Sequence, residues 1–210
     1  MKILDFRKID INNHNKVTFI RVEPNDLQAT LTDIINSLSD ISWISRFFAE
    51  EYIREGFKAR AIPTIHDITE KLIASSSDKV SSDAGEYVVS ELTRSAIISQ
   101  LKYLNVPLAE LYSKQVSGNP GFDFHTQSDC ETLIFGEAKY VCEENAYGRG
   151  LSQVVQFIGE EKDIKDIDEW LNWNNENLPN NEYYALAKNK NVVFLQIESL
   201  ENFVVNQEAY

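Results

Sequence analysis

The order of the predicted elements favours an α/β or α+β fold, in which a mixed sheet is flanked by helices. From residue 85 onward the pattern reads helix, strand or loop, strand, strand, helix and strand. Helices and strands that alternate in this way predict a sheet covered by helices. The polar stretch at 75–85 is the best internal boundary. We therefore expect a largely helical N-terminal part, residues 1–80, that packs as a strand-plus-helices region on a core formed by residues 85–210.

The N-terminal region is predicted to contain one strand and three helices. Residues 16–23 alternate β-branched and aromatic side chains with polar ones, which indicates a strand. Asn25 or Asp26 is a suitable N-cap for the helix that follows, whose apolar residues recur at helical spacing. A second helix is predicted over 42–57, ending at Gly56, and a third over 65–76.

The core region begins with a predicted helix over 85–104, which ends before a proline. Two strands follow at 122–126 and 131–142, and the second, with its apolar run, is the strongest strand in the chain. A helix is then predicted over 147–161.

The end of the chain is predicted from weaker patterns. Residues 160–182 are acidic and rich in asparagine, which indicates a solvated face or loop. Residues 183–188 and 191–199 are predicted to form a closing hairpin.

Composition excludes some functions. An apolar fraction of 43% is enough for a core. The sequence contains no run of about 18 apolar residues, so we expect no membrane span. The N-terminus lacks the apolar segment of a secretory signal, and Cys130 and Cys142 make no disulfide framework, so we expect a cytoplasmic protein. These cysteines also lack the spacing of a zinc site. A net charge of −13 disfavours passive adhesion to nucleic acid or anionic lipid.

The strongest chemical signal is the charged end of the strand at 131–142. Glu137 and Lys139 are two residues apart and therefore share a face of the strand. Asp123 lies in the preceding strand at a distance along the chain that suits a hairpin. Two carboxylates brought together in this way would bind a hard cation such as Mg²⁺ or Mn²⁺. A lysine beside them could stabilise a phosphate oxyanion or orient a water molecule, so the group predicts phosphodiester cleavage.

These motifs resemble those of a known enzyme family. "GFDFH", followed by "LIFGEAKY", is similar to the acid…Glu-x-Lys signature of the PD-(D/E)xK nuclease superfamily. The resemblance covers roughly residues 85–200 and implies a restriction-endonuclease-like core. Within the superfamily, the chain most resembles the nuclease subunit of Hachiman-type bacterial anti-phage defence systems. Phe122 stands where the superfamily pattern has a proline.

The resemblance also implies roles for residues outside the two strands. The helix that carries "GEYVVSEL" matches the helix that often supplies one more acid, here Glu86, which would help with a second metal ion. The helix that carries "QVVQF" matches one that often presents a glutamine near the active site, here Gln153 or Gln156. The Ala138 carbonyl would add a metal ligand beside Asp123 and Glu137.

Structural alternatives stand beside these assignments. Glu137 and Lys139 would also fit an ion pair on an exposed sheet edge, which contributes little to stability. Asp123 would fit a turn, and Glu86 would fit a helix N-terminus, where the dipole favours acids. Gln153 and Gln156 would also fit a solvent-facing position, and His125 is more simply explained as a structural histidine.

The sequence therefore predicts an Mg²⁺-dependent DNA nuclease in which Asp123 and Glu137 hold the metal and Lys139 positions or activates water. The excess of acids over bases disfavours tight binding of DNA by the chain alone. We accordingly expect a helicase or translocase partner that delivers the DNA, and no membrane partner. The alternative is a catalytically inactive subunit that keeps the fold as a docking or regulatory module.

Overall fold

A computed structural model of the chain describes residues 1–12, 15–46, 50–75, 80, 82–112, 121–128, 132–140, 146–166 and 191–192. In this part of the chain the fold is mixed α/β, as the sequence predicts. The strands form a two-stranded sheet near the N-terminus and a three-stranded sheet near the candidate site.

The N-terminal sheet is an antiparallel hairpin of β1, Lys2–Asn12, and β2, Asn15–Glu23. β2 confirms the strand predicted at 16–23, whereas β1 was not predicted. Helix α1, Leu27–Ser39, begins after Asp26, whose carboxylate accepts a hydrogen bond from the Ala29 amide at 2.8 Å. Asp26 therefore caps the helix, as expected for an aspartate that satisfies a free amide of the first turn.

The second and third predicted segments are largely helical, but their predicted bounds are wrong. Residues Ser42–Arg46 form a 3₁₀ helix, and one long helix, α2, spans Glu51–Ile73. Gly56 and Pro63 lie inside α2 and do not end it. A glycine costs only about 1 kcal/mol in a helix interior. We attribute the continuous helix to its buried side, which carries Phe57, Ala61, Ile68 and Leu72.

The elements of the core region follow the predicted order. Helix α3 spans Ser82–Leu101, so it begins and ends three residues before the predicted bounds. Lys102, which follows it, has a positive φ of 61°. A short helix, α4, spans Ala109–Tyr112. Helix α5 spans Ala146–Gly159, close to the predicted 147–161, and residues 162–166 form a further helical turn.

The second sheet has the strand order β3-β4-β5. Strand β3 spans Phe124–Gln127 and pairs antiparallel with β4, Leu133–Gly136. Both predicted strands are confirmed, although each is shorter than predicted. Strand β5, Asn191–Val192, pairs parallel with β4. The predicted strand at 183–188, Cys130 and Cys142 lie outside the described residues.

One continuous hydrophobic core joins the N-terminal region to the core region. Its buried side chains come from α1 to α5 and from β3 and β4, and include Leu38, Leu72, Val88, Phe124 and Phe135. In the described part of the chain, no helix combines the length and the apolar character that crossing a bilayer requires.

A buried ion pair fixes α3 against its neighbours. The Arg94 guanidinium donates to both carboxylate oxygens of Glu91, at 3.1 and 2.7 Å. It also donates to Ser37 Oγ of α1 at 2.8 Å and to the Val106 carbonyl at 3.3 Å, and it contacts Asn105 Oδ1. The side chains of Arg94 and Glu91 are 9% and 2% exposed, so both charges are largely removed from bulk solvent. The network therefore stabilises the fold only while both partners are present.

Candidate active site

Two acidic residues stand at the same end of the antiparallel strands β3 and β4. Asp123 immediately precedes β3, and Glu137 immediately follows β4. The Asp123 amide donates to the Gly136 carbonyl at 2.9 Å, and Asp123 Oδ2 accepts a hydrogen bond from the Ala138 amide at 2.6 Å. The strand pairing thus brings Asp123 against Gly136 and Ala138, as the hairpin spacing of the two strands predicts.

Lys139 lies between the acids of two different elements. Its ammonium nitrogen is 2.6 Å from Glu137 Oε1 and 3.3 Å from Glu86 Oε1 on α3. It also donates to the Ala138 carbonyl at 2.8 Å. The side chains of Lys139 and Glu137 are 10% and 2% exposed, whereas Glu86 is 53% exposed. The pair is therefore buried, which disagrees with the exposed edge pair considered as an alternative.

Burial makes the charged forms of both acids unfavourable. Burial raises the pKa of Asp123 well above its usual range, and the charge of Glu137 raises it further. Burial also raises the pKa of Glu137, although the hydrogen bond and charge of Lys139 offset part of the shift. For Lys139, burial lowers the pKa, but the surrounding carboxylates outweigh it, so the net pKa is raised. The lysine is therefore held as a cation.

One carboxylate oxygen of Glu137 is buried without a donor among the described residues. Glu137 Oε2 is buried and accepts no hydrogen bond from the described residues. A buried carboxylate oxygen without a donor is costly, and a cation, a proton or a water molecule would relieve it. This oxygen is therefore a candidate ligand for a cation.

The oxygen atoms at this site are of the chemical type that a hard divalent cation takes as ligands. The available donors are the carboxylates of Asp123 and Glu137 and the Ala138 carbonyl. No group of three or more His, Cys, Asp or Glu side chains suitable for a metal occurs in the described ranges. The cation would therefore complete its shell with water, as Mg²⁺ commonly does. Lys139 now contacts two of these donors, Glu137 Oε1 and the Ala138 carbonyl, so its ammonium would have to share them.

The glutamines predicted from α5 lie on the surface of that helix. Gln153 and Gln156 line a shallow groove with Gly148, Arg149 and Phe157. Gln156 donates to Glu160 Oε1 at 2.7 Å. The hydrogen bonds given by the described residues do not join either glutamine to Asp123, Glu137 or Lys139. The helix itself is adjacent to the site, since the Cβ position of Gly150 is 3.8 Å from Lys139 Cγ.

His125 is buried on β3, two residues after Asp123. Its Nδ1 contacts the Tyr112 hydroxyl, and its Nε2 is 3.5 Å from Asp166 Oδ2. Its ring also packs against the Phe135 ring, with centroids 5.1 Å apart. These contacts support the structural interpretation of this histidine.

Glu110 and Tyr87 are close to the site but were missed in the sequence. The Ala109 amide of α4 donates to the Asp123 carbonyl at 3.1 Å, so α4 is tied to the backbone of Asp123. Burial raises the pKa of the neighbouring Glu110, the Tyr87 hydrogen bond lowers it, and the charge of Glu86 raises it. A single glutamate in a short helix carries no sequence signal for this position.

The acidic segment after α5 was predicted as a solvated face or loop, and this prediction is wrong for two of its residues. Asp163 is 1% exposed. Asp166 is 13% exposed, and its Oδ2 accepts a hydrogen bond from the Phe122 amide at 3.0 Å. In the sequence both are hidden in a run of acids, because a buried aspartate and a solvated one have the same local pattern.

Comparison with known proteins adds no relative. No family model, curated protein or solved structure matches this chain. The functional argument therefore rests on the residues and geometry described above.

Proposed function

We propose that this protein is a metal-dependent nuclease that hydrolyses phosphodiester bonds in DNA, with the PD-(D/E)xK arrangement of site residues. The observation that carries the proposal is the buried group of Asp123, Glu137 and Lys139 at one end of paired strands. Buried carboxylates with raised pKa values are common at functional sites and are costly for a purely structural role. The burial of the group favours this function over an exposed ion pair.

Asp123 and Glu137 would hold Mg²⁺ or Mn²⁺, with the Ala138 carbonyl as a further ligand. The bound cation would neutralise charge on the phosphate and lower the pKa of a bound water. Lys139 would remain protonated, because carboxylates surround it and raise its pKa. Its ammonium would therefore orient the attacking water or stabilise the charge that develops on phosphate oxygens as the P–O bond to the leaving group breaks. This state does not suit a general base.

Glu86 contacts the Lys139 ammonium and would hold it in place, or would help with a second cation. Gln153 and Gln156 line the groove on α5, which lies beside Lys139. They would contact the nucleic acid next to the scissile bond. The proposed metal ligands come instead from residues at the ends of the strands.

The biological setting follows from the resemblance to Hachiman-type systems. The protein would act inside the bacterial cell as the nuclease of an anti-phage defence or restriction system, on a restriction-endonuclease-like core. A helicase or translocase would deliver the DNA. The net charge of −13 supports a delivery partner, because phosphate contacts by Lys and Arg provide most non-specific DNA affinity.

A digestion assay with Mg²⁺ or Mn²⁺ tests the proposed activity. We expect wild-type protein to cut DNA, and Glu137→Ala and Lys139→Ala to lose at least about 100-fold in rate, as expected for a transition-state contact. Glu55→Ala and Lys58→Ala are the matched controls, because these residues form an exposed pair, 3.8 Å apart, on α2. The proposal fails if the site variants cut as fast as these controls.

The alternative function is a non-catalytic docking or regulatory subunit with the same fold. Titration calorimetry with Mn²⁺ distinguishes the two, because a scaffold would give no binding that depends on Asp123 and Glu137. The partner proposal is tested separately by the DNA affinity of the isolated chain at about 150 mM salt, where charges beyond about 8 Å are screened. Nanomolar affinity without a partner would remove the reason to propose a delivery subunit.

A further inference from the structure

We infer that Asp166 is a positioning residue of the candidate site, because its carboxylate holds the Gly121–Phe122 backbone from which Asp123 projects. Asp166 belongs to the helical turn at 162–166, which follows α5. Its side chain therefore links this turn to the residues just before β3 by a hydrogen bond. The inference rests on the proposed function only for what Asp123 binds. The contact of the Asp166 carboxylate with the Gly121–Phe122 backbone, called the brace below, is itself a property of the fold.

The first observation is the hydrogen bond between Asp166 and the residue before Asp123. Asp166 Oδ2 accepts from the Phe122 amide at 3.0 Å. The Phe122 ring is buried and packs against the rings of Phe135 and Phe157, with centroids 5.1 and 5.2 Å away. Packing therefore fixes the Phe122 side chain and Asp166 fixes its backbone. Asp123 follows immediately and inherits this fixed position.

The second observation is the space that the carboxylate occupies. A Cβ atom built on Gly121 would lie 2.4 Å from Asp166 Oδ1 and 2.5 Å from Oδ2. Such distances are far below ordinary van der Waals contact. Any side chain at position 121 would displace Asp166 or the backbone. The missing side chain of Gly121 thus leaves the space that the Asp166 carboxylate occupies. Asp166 is 44 residues from Phe122 in the sequence, so local patterns do not reveal this contact.

The third observation is that Asp166 faces both strands of the site. His125 Nε2 on β3 is 3.5 Å from Asp166 Oδ2. The negative charge of Asp166 is also near enough to raise the pKa of Glu137 after β4. Loss of Asp166 would therefore change the position of Asp123 and the field at Glu137, whereas Asp166→Asn would keep an oxygen acceptor and remove only the charge.

A double-mutant cycle on Mn²⁺ affinity tests the brace. The variants are Asp166→Ala, Gly121→Ala, their double and Asp166→Asn, with Asp33→Ala on the exposed side of α1 as the charge control. Small displacements of ligating groups have large effects on binding. A hydrogen bond to a charged acceptor changes an equilibrium constant by about 10-fold to 100-fold. We expect Asp166→Ala and Gly121→Ala each to weaken Mn²⁺ binding by about 10-fold or more.

The cycle separates a shared brace from two independent defects. If both substitutions act by removing Asp166 from Phe122, the double variant binds Mn²⁺ as weakly as Asp166→Ala alone. Asp33→Ala should stay within about threefold of wild type because it is remote. Asp166→Asn should lose less affinity than Asp166→Ala, because it keeps an oxygen acceptor for the Phe122 amide and removes only the charge. Fully additive losses, or wild-type affinity in Asp166→Ala, would overturn the inference.

Amide hydrogen exchange provides a readout that is independent of metal. Asp166→Ala should speed exchange of the Phe122 amide by about 10-fold or more while amides in the middle of α3 keep their wild-type rates. An unchanged Phe122 rate would overturn the brace. If wild-type protein binds no Mn²⁺ at all, the proposed function fails, and the exchange measurement still decides whether Asp166 holds this backbone.

Discussion

Replacement of Gly136 by alanine is a direct test of the strand packing at the candidate site. Gly136 is the last residue of β4 and lies opposite Phe124 of β3. A Cβ atom at this position would lie 2.0 Å from Phe124 Cζ, whereas carbon atoms in contact are about 3.5–4.0 Å apart. In the structure, the ring of Phe124 packs directly against this glycine. One added methyl group must therefore move a buried ring by about 1.5 Å or more.

The cost of the substitution follows from this overlap. Phe124 is 2% exposed, so its ring is packed against other buried atoms. Overpacking of this kind typically costs about 1–3 kcal/mol in the free energy of unfolding. For a chain of 210 residues this corresponds to a fall in Tm of about 2–12 °C. Glu137 follows Gly136 directly, so the same shift should also weaken Mn²⁺ binding.

Thermal and urea unfolding of Gly136→Ala measure this effect, and Gly56→Ala is the matched control. Gly56 lies inside α2, and the nearest atom to its added Cβ is Arg60 Nη1 at 3.7 Å, an ordinary contact. The same chemical change should therefore stabilise the protein there by about 0.5–1 kcal/mol. Phe124→Leu in the Gly136→Ala background should recover part of the loss. Equal stability of Gly136→Ala and Gly56→Ala would refute the packing argument.

Other substitutions test the charge network and the buried acids. Lys139→Met should abolish DNA cleavage while calorimetry still detects Mn²⁺ binding, because the ammonium is not a metal ligand; cleavage at the wild-type rate would show that the lysine is not catalytic. Arg94→Met should lower the free energy of unfolding in urea by about 3–5 kcal/mol, because it leaves Glu91 charged and buried. The double variant Glu91→Leu/Arg94→Met should be closer to wild type in stability. A double variant as unstable as Arg94→Met would contradict this. Burial raises the pKa of Glu110, so its charge destabilises the fold as pH rises through the raised value, and the penalty is absent below the ordinary carboxyl range. Glu110→Gln should therefore be more stable than wild type at pH 7 but not at pH 4 in thermal unfolding, and a difference that does not change with pH would oppose this assignment.

The sequence predicts those parts of the fold that local patterns determine. The Asp26 cap, β2 and the two strands of the site follow from side-chain alternation and turn residues, which act over a few positions. The length of α2 does not, because its continuity past Gly56 and Pro63 depends on packing against other elements. Strand β1 has the alternation of a strand, but only its pairing with β2 identifies it.

The candidate site shows the same division. Asp123, Glu137 and Lys139 are predictable because strand geometry relates their spacing to a shared end of the sheet. Asp166 is not predictable, since its role depends on a contact with the Phe122 amide and on the missing side chain of Gly121. Burial is also invisible in the pattern, so the sequence alone left open an exposed ion pair.

The structure changes the meaning of the net charge of −13. The sequence alone predicts that residues 160–182 form a solvated face or loop and that the excess of acids disfavours tight binding of DNA. In the described part of the chain, Glu86, Asp123 and Glu137 instead act on Lys139, and Asp166 lies near enough to act on Glu137. Negative charge is therefore concentrated at the candidate site, so under the proposed function a polyanion would be repelled from the site as well as from the surface. A divalent cation at Asp123 and Glu137 would lower this barrier, so metal binding and substrate binding should be coupled. A partner that delivers DNA would then have to overcome only the remaining surface repulsion, and the acidic composition would restrain the enzyme chiefly when its metal is absent.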